Sequence, residues 1–541
     1  MSKTSSNVTK TWIALEKNRD ALAKLSLQEL FDADPDRFDK FSIKFNGITV
    51  DFSKQRIDQK TLSLLKDLTK ERQLKSKIKD LYQGKTVNVS ENRAAMHVAL
   101  RDKTDRRYCI NGSNIALDIK TTLNRMLDFS DSVREGRTKG ASGARFNKVV
   151  IIGVGGSVNG TEFCCEALKL QKTTEIQFHF VTSLDNTALQ DTLFDSKPET
   201  TLFIIVSKTF STEDTHTNAI HARQWIENHL GKEAIQYHFA AITEKHSAAR
   251  EFGVSNKHLF PIWDWVGGRF STCSAVGLPI ALAHGSEAFR EFLHGAHSMD
   301  KHFEVSSPEK NLPIILALID LWNRNFWATP VLAILPYDYR LRFLPTFVQA
   351  LIMESNGKPS KFHIRTGQYE TAPVVFGKLG SEAQHSFMQL LHQSPMTVAS
   401  EFVIAMTNEH DSERDRLISN MVAQSRTLMC GVSYPELQPT NHPDIASHKV
   451  CPGNKPSTAI LLNSISPSTL GSLIALYEHR AFVGGMLWGL NPFDQWGVEL
   501  GKNISSNILA HISNKRTLAN TDSSTVGIIN AYLEKKSENK L

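Results

Sequence analysis

The chain has 541 residues, too many for one hydrophobic core, so two or more domains are expected. Its 41% hydrophobic and 22% charged residues are those of a globular protein. The net charge of +6, from 62 basic and 56 acidic residues, is mild, and no basic cluster with interleaved aromatics marks a nucleic-acid binder.

Met1–Lys10 lacks the apolar core of a signal peptide. Residues 10–25 read as an amphipathic helix, and Ser26-Leu-Gln-Glu29 as a capping box that opens a second, ended by Asp34-Pro35. Lys66–Lys79 alternates in charge, as a solvated helix face does. From about 148 the rhythm changes. Short apolar runs at Val149–Ile152, Ile176–Val181, Leu202–Val206 and Phe239–Ile242 alternate with helical patterns. A second set follows at Val331–Leu335, Val374–Phe376, Val403–Met406 and Ala459–Leu462. Fully apolar strands separated by helices predict α/β architecture, with two doubly wound parallel sheets of related build and helical N- and C-terminal extensions. The expected division is 1–112, the N-terminal helical part of the large domain; 113–282, the small domain; 283–508, the large domain; and 509–541, a C-terminal helical arm. With no low-complexity linker, the two sheet domains should be in firm contact. The most apolar stretch, Leu312–Leu321, is cut by Pro313 and Asp320 and is too short to span a bilayer.

Six scattered cysteines form no Cys-x-x-Cys pair, which argues against structural zinc and a disulfide framework. Adjacent Cys164-Cys165 reads as reduced core thiols and predicts a cytoplasmic protein.

Several segments can carry chemistry. Gly153-Val-Gly-Gly156-Ser157 joins a strand to a helix, either as a plain tight turn or as a site where backbone N–H groups meet an anion. As a dinucleotide fingerprint it fails, because Val158 stands in place of the third glycine. Ser207-Lys208-Thr209-Phe210-Ser211-Thr212 gathers hydroxyls and an ammonium at the carboxyl edge of a parallel strand, which suits a single phosphate group; a plain Ser/Thr-rich helix cap does not require Lys208. In Gly267-Gly268-Arg269 two glycines let a guanidinium approach a ligand, or a core carboxylate. Glu354 ends the apolar helix Phe343–Met353 and is either a helix-end residue pointing to solvent or a partly desolvated carboxylate suited to a general base. His385 is one of 20 histidines and on its own reads as a core or surface residue; it shares a predicted helix face with His392, but no nearby carboxylate completes a metal site. Gln495, Glu499 and Lys502 fall at i, i+4 and i+7 and share one face if 493–502 is helical.

Two of these runs, Asp264-Trp-Val-Gly-Gly-Arg-Phe-Ser-Thr-Cys-Ser-Ala-Val-Gly277 and Phe493-Asp-Gln-Trp-Gly-Val-Glu-Leu-Gly-Lys502, closely resemble the two signatures of the phosphoglucose isomerase family, in the family's order. Asp34–Phe38, Asn88–Arg93 and Met96–Arg101 also look like family segments, and the resemblance runs from about residue 30 to residue 510. The two glycine- and hydroxyl-rich loops resemble the phosphosugar-binding turns of the sugar isomerase (SIS) fold.

The resemblance implies a cofactor-independent, metal-free aldose–ketose isomerase. It would interconvert glucose 6-phosphate and fructose 6-phosphate by ring opening and a cis-enediolate, in glycolysis and gluconeogenesis. It assigns the substrate phosphate to Gly156, Ser157, Ser207, Lys208, Thr209 and Thr212, and further substrate contacts to Gly268 and Gln495. It assigns proton transfer to Glu354, charge stabilisation to Arg269, and ring opening to His385 and Lys502. Where the family carries a glutamine four residues before the glutamate, this chain has Ala350, with Gln349 beside it. The implied partners are a hexose phosphate and a second copy, in a homodimer with shared active sites, with no nucleic acid and no membrane. Two alternatives remain: a non-catalytic phosphosugar-binding protein on the same fold, and an isomerase of another sugar phosphate.

Overall fold

The computed structural model describes residues 9–104, 106–360, 363–364, 367–368, 370–407, 413–440, 442–513 and 521–538. Most of the Met1–Lys10 segment therefore lies outside the described residues. The chain forms two compact units, Met1–Pro492 and Phe493–Leu541.

The larger unit holds both expected sheets. Its principal strands are β1 (Ser42–Phe45), β2 (Ile48–Asp51), β3 (Lys148–Ile152), β4 (Gln177–Val181), β5 (Thr201–Val206), β6 (Phe239–Thr243), β7 (Leu259–Pro261), β8 (Val331–Pro336), β9 (Val374–Gly377), β10 (Val398–Ala405) and β11 (Ser457–Leu462). One sheet has the order β4-β3-β5-β6-β7 and is parallel throughout. Every residue of β3, β5 and β6 is buried, the reason these runs carry no polar alternation. The second sheet has the order β1-β2-β11-β10-β8-β9. Its β11-β10-β8-β9 part is parallel, as expected. Its edge is not: β2 pairs antiparallel with β11, and β1 with β2. This hairpin turns on Asn46 and Gly47, with φ of 45° and 77°. Two left-handed residues form the tight turn that Asn-Gly favours, so the signal was in the sequence.

The capping box at Ser26 is present: Glu29 N donates to Ser26 Oγ (3.1 Å) and Ser26 N to the Glu29 carboxylate (2.7 Å). The charged run 66–79 is two helices, Gln59–Glu71 and Leu74–Tyr82, parted at Gln73, whose φ is 54°. Pro313 does not cut its helix. It opens Leu312–Phe326, where its missing N–H costs nothing, beside the capping residue Asn311. Asp320 on that helix is buried against Arg480.

Arg480 belongs to the helix Pro467–Trp488, which is buried along almost its whole length. Mid-helix it carries Glu478, His479 and Arg480 into the core. Arg101 donates two 2.7 Å bonds to Asp300 and one of 2.5 Å to Glu478, and His479 Nε2 lies 2.6 Å from Asp300. Burial alone would push the Asp300 carboxyl up; Arg101 and His479 outweigh it and hold it down to about 2. Glu478 takes a single arginine contact, so burial wins and pushes it up to about 7. Arg480 pairs with Asp320 and Glu401 in the same way. Replacing such ions with apolar groups can be neutral, but removing one partner strands the others.

Cys164 and Cys165 are buried free thiols, as expected, and burial pushes both well up. No helix among the described residues is long and apolar enough to cross a membrane.

The second unit contains the helices Trp496–Ile512 and Ser523–Glu538. Gln495 is the residue before the first of these, with φ of −153°, so it does not share a helical face with Glu499 and Lys502.

Candidate active site

In the all-parallel sheet β3 lies between β4 and β5, and the chain leaves it toward opposite sides. Ligands bind at the carboxyl ends of strands at such a switch point. The loops leaving β3 and β5 there are the two expected phosphate loops. Gly155–Ser157 forms a single helical turn before the helix Asn159–Ala167. Ser207–Thr212 leads into the helix Glu213–Leu230. Its backbone is pinned: Ser207 N donates to Ile242 O (3.1 Å), and Lys208 O accepts from Glu244 N (3.0 Å) and Thr243 Oγ1 (3.1 Å). Ser207 Oγ donates to Thr212 Oγ1 at 3.3 Å, so these two hydroxyls face one another, while Thr209 is exposed. Thr212 stands at the cap of its helix without spending its hydroxyl on a cap bond.

Lys208 turns its ammonium toward the arginine-bearing turn. Nζ donates to Asp264 O (2.8 Å) and Val266 O (3.1 Å). Burial pulls this amine below its ordinary value, and the charge of Arg93 adds to the effect. The first loop touches the same turn. A Cβ on Gly156 would lie 2.6 Å from Arg269 N, so the two backbones leave no room for a side chain. Gly268 has open space where a Cβ would project.

Arg269 rides on the one-turn helix Gly268–Phe270 and is buried. Its Nε donates to Ser355 Oγ (2.7 Å) and its Nη2 to Pro492 O (2.5 Å). Its Nη1 lies 3.4 Å from Glu354 Oε2. Glu354 and Ser355 sit near the end of the helix Leu344–Asn356. Leu351, Ile352 and Ser355 are buried, while the Glu354 side chain keeps 30% exposure. Its desolvation is therefore only partial. Gln349, beside Ala350, donates its side-chain amide to Val375 O at 2.9 Å, so it ties the helix to β9.

These contacts join Gly156, the Lys208 loop, Arg269 and Glu354 into one locality. His385 is outside them. It is exposed in the turn between the helices Gly380–Ala383 and Met388–Gln393, so it does not share a helix with His392, which meets Gln424 at 2.7 Å. Gln495 and Lys502 belong to the C-terminal unit, where Lys502 is exposed on the helix Trp496–Ile512. Among the described residues no group of three or more histidines, cysteines or acids could hold a metal ion.

A phosphate-loop switch point joined to a carboxylate beside a buried arginine suits proton abstraction next to a carbonyl. Comparison with known proteins identifies the family. Residues 51–529 match the family model described as phosphoglucose isomerase. The chain belongs to that family. It is similar to the glucose-6-phosphate isomerase of Shewanella halifaxensis, 42% identical over 96% of this chain and 98% of the relative. It is similar to glucose-6-phosphate isomerase 1 of Neisseria gonorrhoeae, 40% identical over 97% and 98%. A crystal structure of a glucose-6-phosphate isomerase from Chlamydia trachomatis superposes with a TM-score of 0.84 at 29% identity, covering 98% of this chain and 99% of that one. In this phosphoglucose isomerase family member, sequence reasoning missed the partners of Arg269. Ser355 lies inside a matching segment and could have been flagged as the polar neighbour of Glu354. The carbonyl oxygens of Asp264, Val266 and Pro492 have no side-chain signature.

Proposed function

We propose that this protein is a glucose-6-phosphate isomerase, interconverting glucose 6-phosphate and fructose 6-phosphate in the cytoplasm, in glycolysis and gluconeogenesis. The observation that carries the reading is the Glu354 carboxylate 3.4 Å from the Arg269 guanidinium, beside two loops suited to a phosphate. Gly156, Ser157, Ser207, Lys208, Thr209 and Thr212 anchor the phosphoryl group, with Gly268 and Gln495 lining the sugar. His385 and Lys502 open the ring, as the family resemblance implies. Glu354 then takes the proton from C2 of the open aldose. The electrons pass to O1, giving a cis-enediolate whose negative charge faces Arg269. The hydroxyl proton then passes from O2 to O1, and return of the first proton from Glu354 to C1, as the O2 electrons re-form a carbonyl at C2, completes the ketose. Nothing is gained or lost overall, so the step needs no redox cofactor, and in this reading Arg269 rather than a metal ion faces the enediolate charge.

In this reading residues 113–282 serve as the small domain, 283–508 with 1–112 as the large domain, and 509–541 as an arm. The protein works as a homodimer in which His385 enters its partner's site. Its exposure in the turn before the helix Met388–Gln393 supports that assignment. A coupled assay for glucose 6-phosphate formed from fructose 6-phosphate, run beside other hexose and pentose phosphates, tests the substrate. No turnover of fructose 6-phosphate refutes the reading, and faster turnover of another sugar phosphate corrects it. Shared sites are tested by pairing a Glu354→Gln chain with a His385→Ala chain. One site of the heterodimer then carries both lesions and the other neither, so about half of wild-type activity returns if sites act independently. A verified heterodimer as inactive as its parents refutes sharing.

A further inference from the structure

Ser355 is fully buried, directly after the half-buried Glu354 on the same helix. A buried hydroxyl in an apolar helix costs free energy unless it meets a partner, and its partner here is Arg269 Nε, at 2.7 Å. Nε and Nη2 form the fork with which arginine commonly grips a carboxylate. In this protein both prongs end on neutral oxygens, the Ser355 hydroxyl and the Pro492 carbonyl. Nη1 is the nitrogen turned to Glu354.

We infer that Ser355 is a positioning residue for isomerisation: its hydroxyl oxygen fixes the plane of the Arg269 guanidinium so that Nη1 faces the carbon atoms served by Glu354. The inference rests on the isomerase reading above. Three features of the geometry carry it. A bond at Nε stops rotation about the last bonds of the side chain, which a bond at Nη2 alone does not. A neutral acceptor at Nε adds no negative charge to that of Glu354, so the field of the guanidinium remains for an enediolate once Glu354 has taken the proton. Ser355 and Glu354 are neighbours on one helix, so the base and the holder of the cation move as one body.

The test is Ser355→Ala in the full-length protein, with folding checked by circular dichroism and thermal melting. Loss of the orienting bond lets the cation drift, and misplacement near 1 Å costs about 100-fold. The expected fall in kcat is about 10- to 100-fold, with KM unchanged within about twofold. Two ligands separate positioning from general damage. Affinity for 6-phosphogluconate, an anion at the sugar's reacting end, should fall about tenfold, the size expected when one charged contact is misaligned. Affinity for sorbitol 6-phosphate, which has no charge there, should not change. In an Arg269→Ala background Ser355→Ala should do almost nothing more, because the two act as one unit. Ser355→Thr, which keeps the hydroxyl, should restore kcat in part. If the alanine variant does not fold, Ser355→Cys is judged on the same measurements.

A folded Ser355→Ala enzyme with kcat within twofold of wild type overturns the inference. So do equal losses for both ligands, or losses that multiply in the Arg269→Ala background. These results leave the functional reading intact as long as the wild type isomerises fructose 6-phosphate. A wild type that does not isomerise it is the separate failure of that reading.

Discussion

Adjacent glycines in the first phosphate loop should respond oppositely to substitution. A Cβ at Gly156 would stand 2.6 Å from Arg269 N, 2.9 Å from Arg269 Cα and 2.9 Å from Gly268 C. Ordinary contact begins at 3.4 Å, and every clashing atom is backbone, so nothing can swing aside. Gly156→Ala must therefore part the loop from the arginine turn by about 0.5–0.8 Å. Overpacking of this kind costs about 1–3 kcal/mol of stability. The larger effect is on rate, because the turn that moves carries Arg269. A shift approaching 1 Å is worth about 10- to 100-fold in turnover. Gly155 is glycine for a different reason. Its φ is +55°, and a Cβ there meets nothing within 4 Å. Gly155→Asn should cost only about 1 kcal/mol of backbone strain and keep most of the activity, since asparagine accepts left-handed geometry. Steady-state kinetics on fructose 6-phosphate and denaturant melts of the two variants give the comparison. A Gly156→Ala enzyme within threefold of wild type, or a Gly155→Asn enzyme equally impaired, refutes the reasoning.

Glu354→Gln should lower kcat by about 100- to 10,000-fold while sorbitol 6-phosphate still binds, because only the proton carrier is lost; a variant keeping a third of wild-type kcat disproves the assignment. Activity should survive EDTA and dialysis, since Arg269 stabilises the enediolate, and a loss reversed by zinc or manganese overturns that mechanism. Arg101→Met leaves Asp300 and Glu478 buried together without their cation, and should destabilise by about 3–5 kcal/mol in urea melts; a cost below about 1 kcal/mol would show the network relaxes freely. The Asp300 carboxyl is held at about 2, below its usual 3.8, so its stabilisation is complete above pH 3.8 and is lost as pH falls through 2. Urea midpoints between pH 5 and pH 2 should fall over that interval, and Asp300→Asn should flatten the fall.

The two sheets were legible because fully buried parallel strands must be continuous apolar runs, and β3, β5 and β6 are such runs. The two phosphate loops are legible from their place after apolar strands and from their glycine, hydroxyl and lysine content. The hairpin β1–β2 is hard to read from sequence because each arm has only four residues, so Asn46-Gly47 is its one clear signal. Glu354 and Arg269 owe their assigned roles to the family resemblance, because residue types alone do not distinguish Glu354 from a solvated helix end. The ion network around Glu478, His479 and Arg480 was missed because charges inside an apolar helix are explained only by distant partners, Asp300, Asp320, Glu401 and Arg101. Carbonyl oxygens that hold Arg269 and Lys208 exist at every position and reveal themselves only through the folded backbone.

The reach of Arg269 along the chain has a consequence for biosynthesis. Its hydroxyl partner is 86 positions downstream and its carbonyl partner 223 positions downstream. Closing such long loops comes late in folding. A chain still being translated can complete β3 to β7, yet it cannot complete the contacts of the guanidinium until Pro492 has left the ribosome. Stalled nascent chains ending before residue 492 should therefore be catalytically silent even where the all-parallel sheet resists protease. Enzymatic activity in this protein reports the end of assembly rather than its beginning.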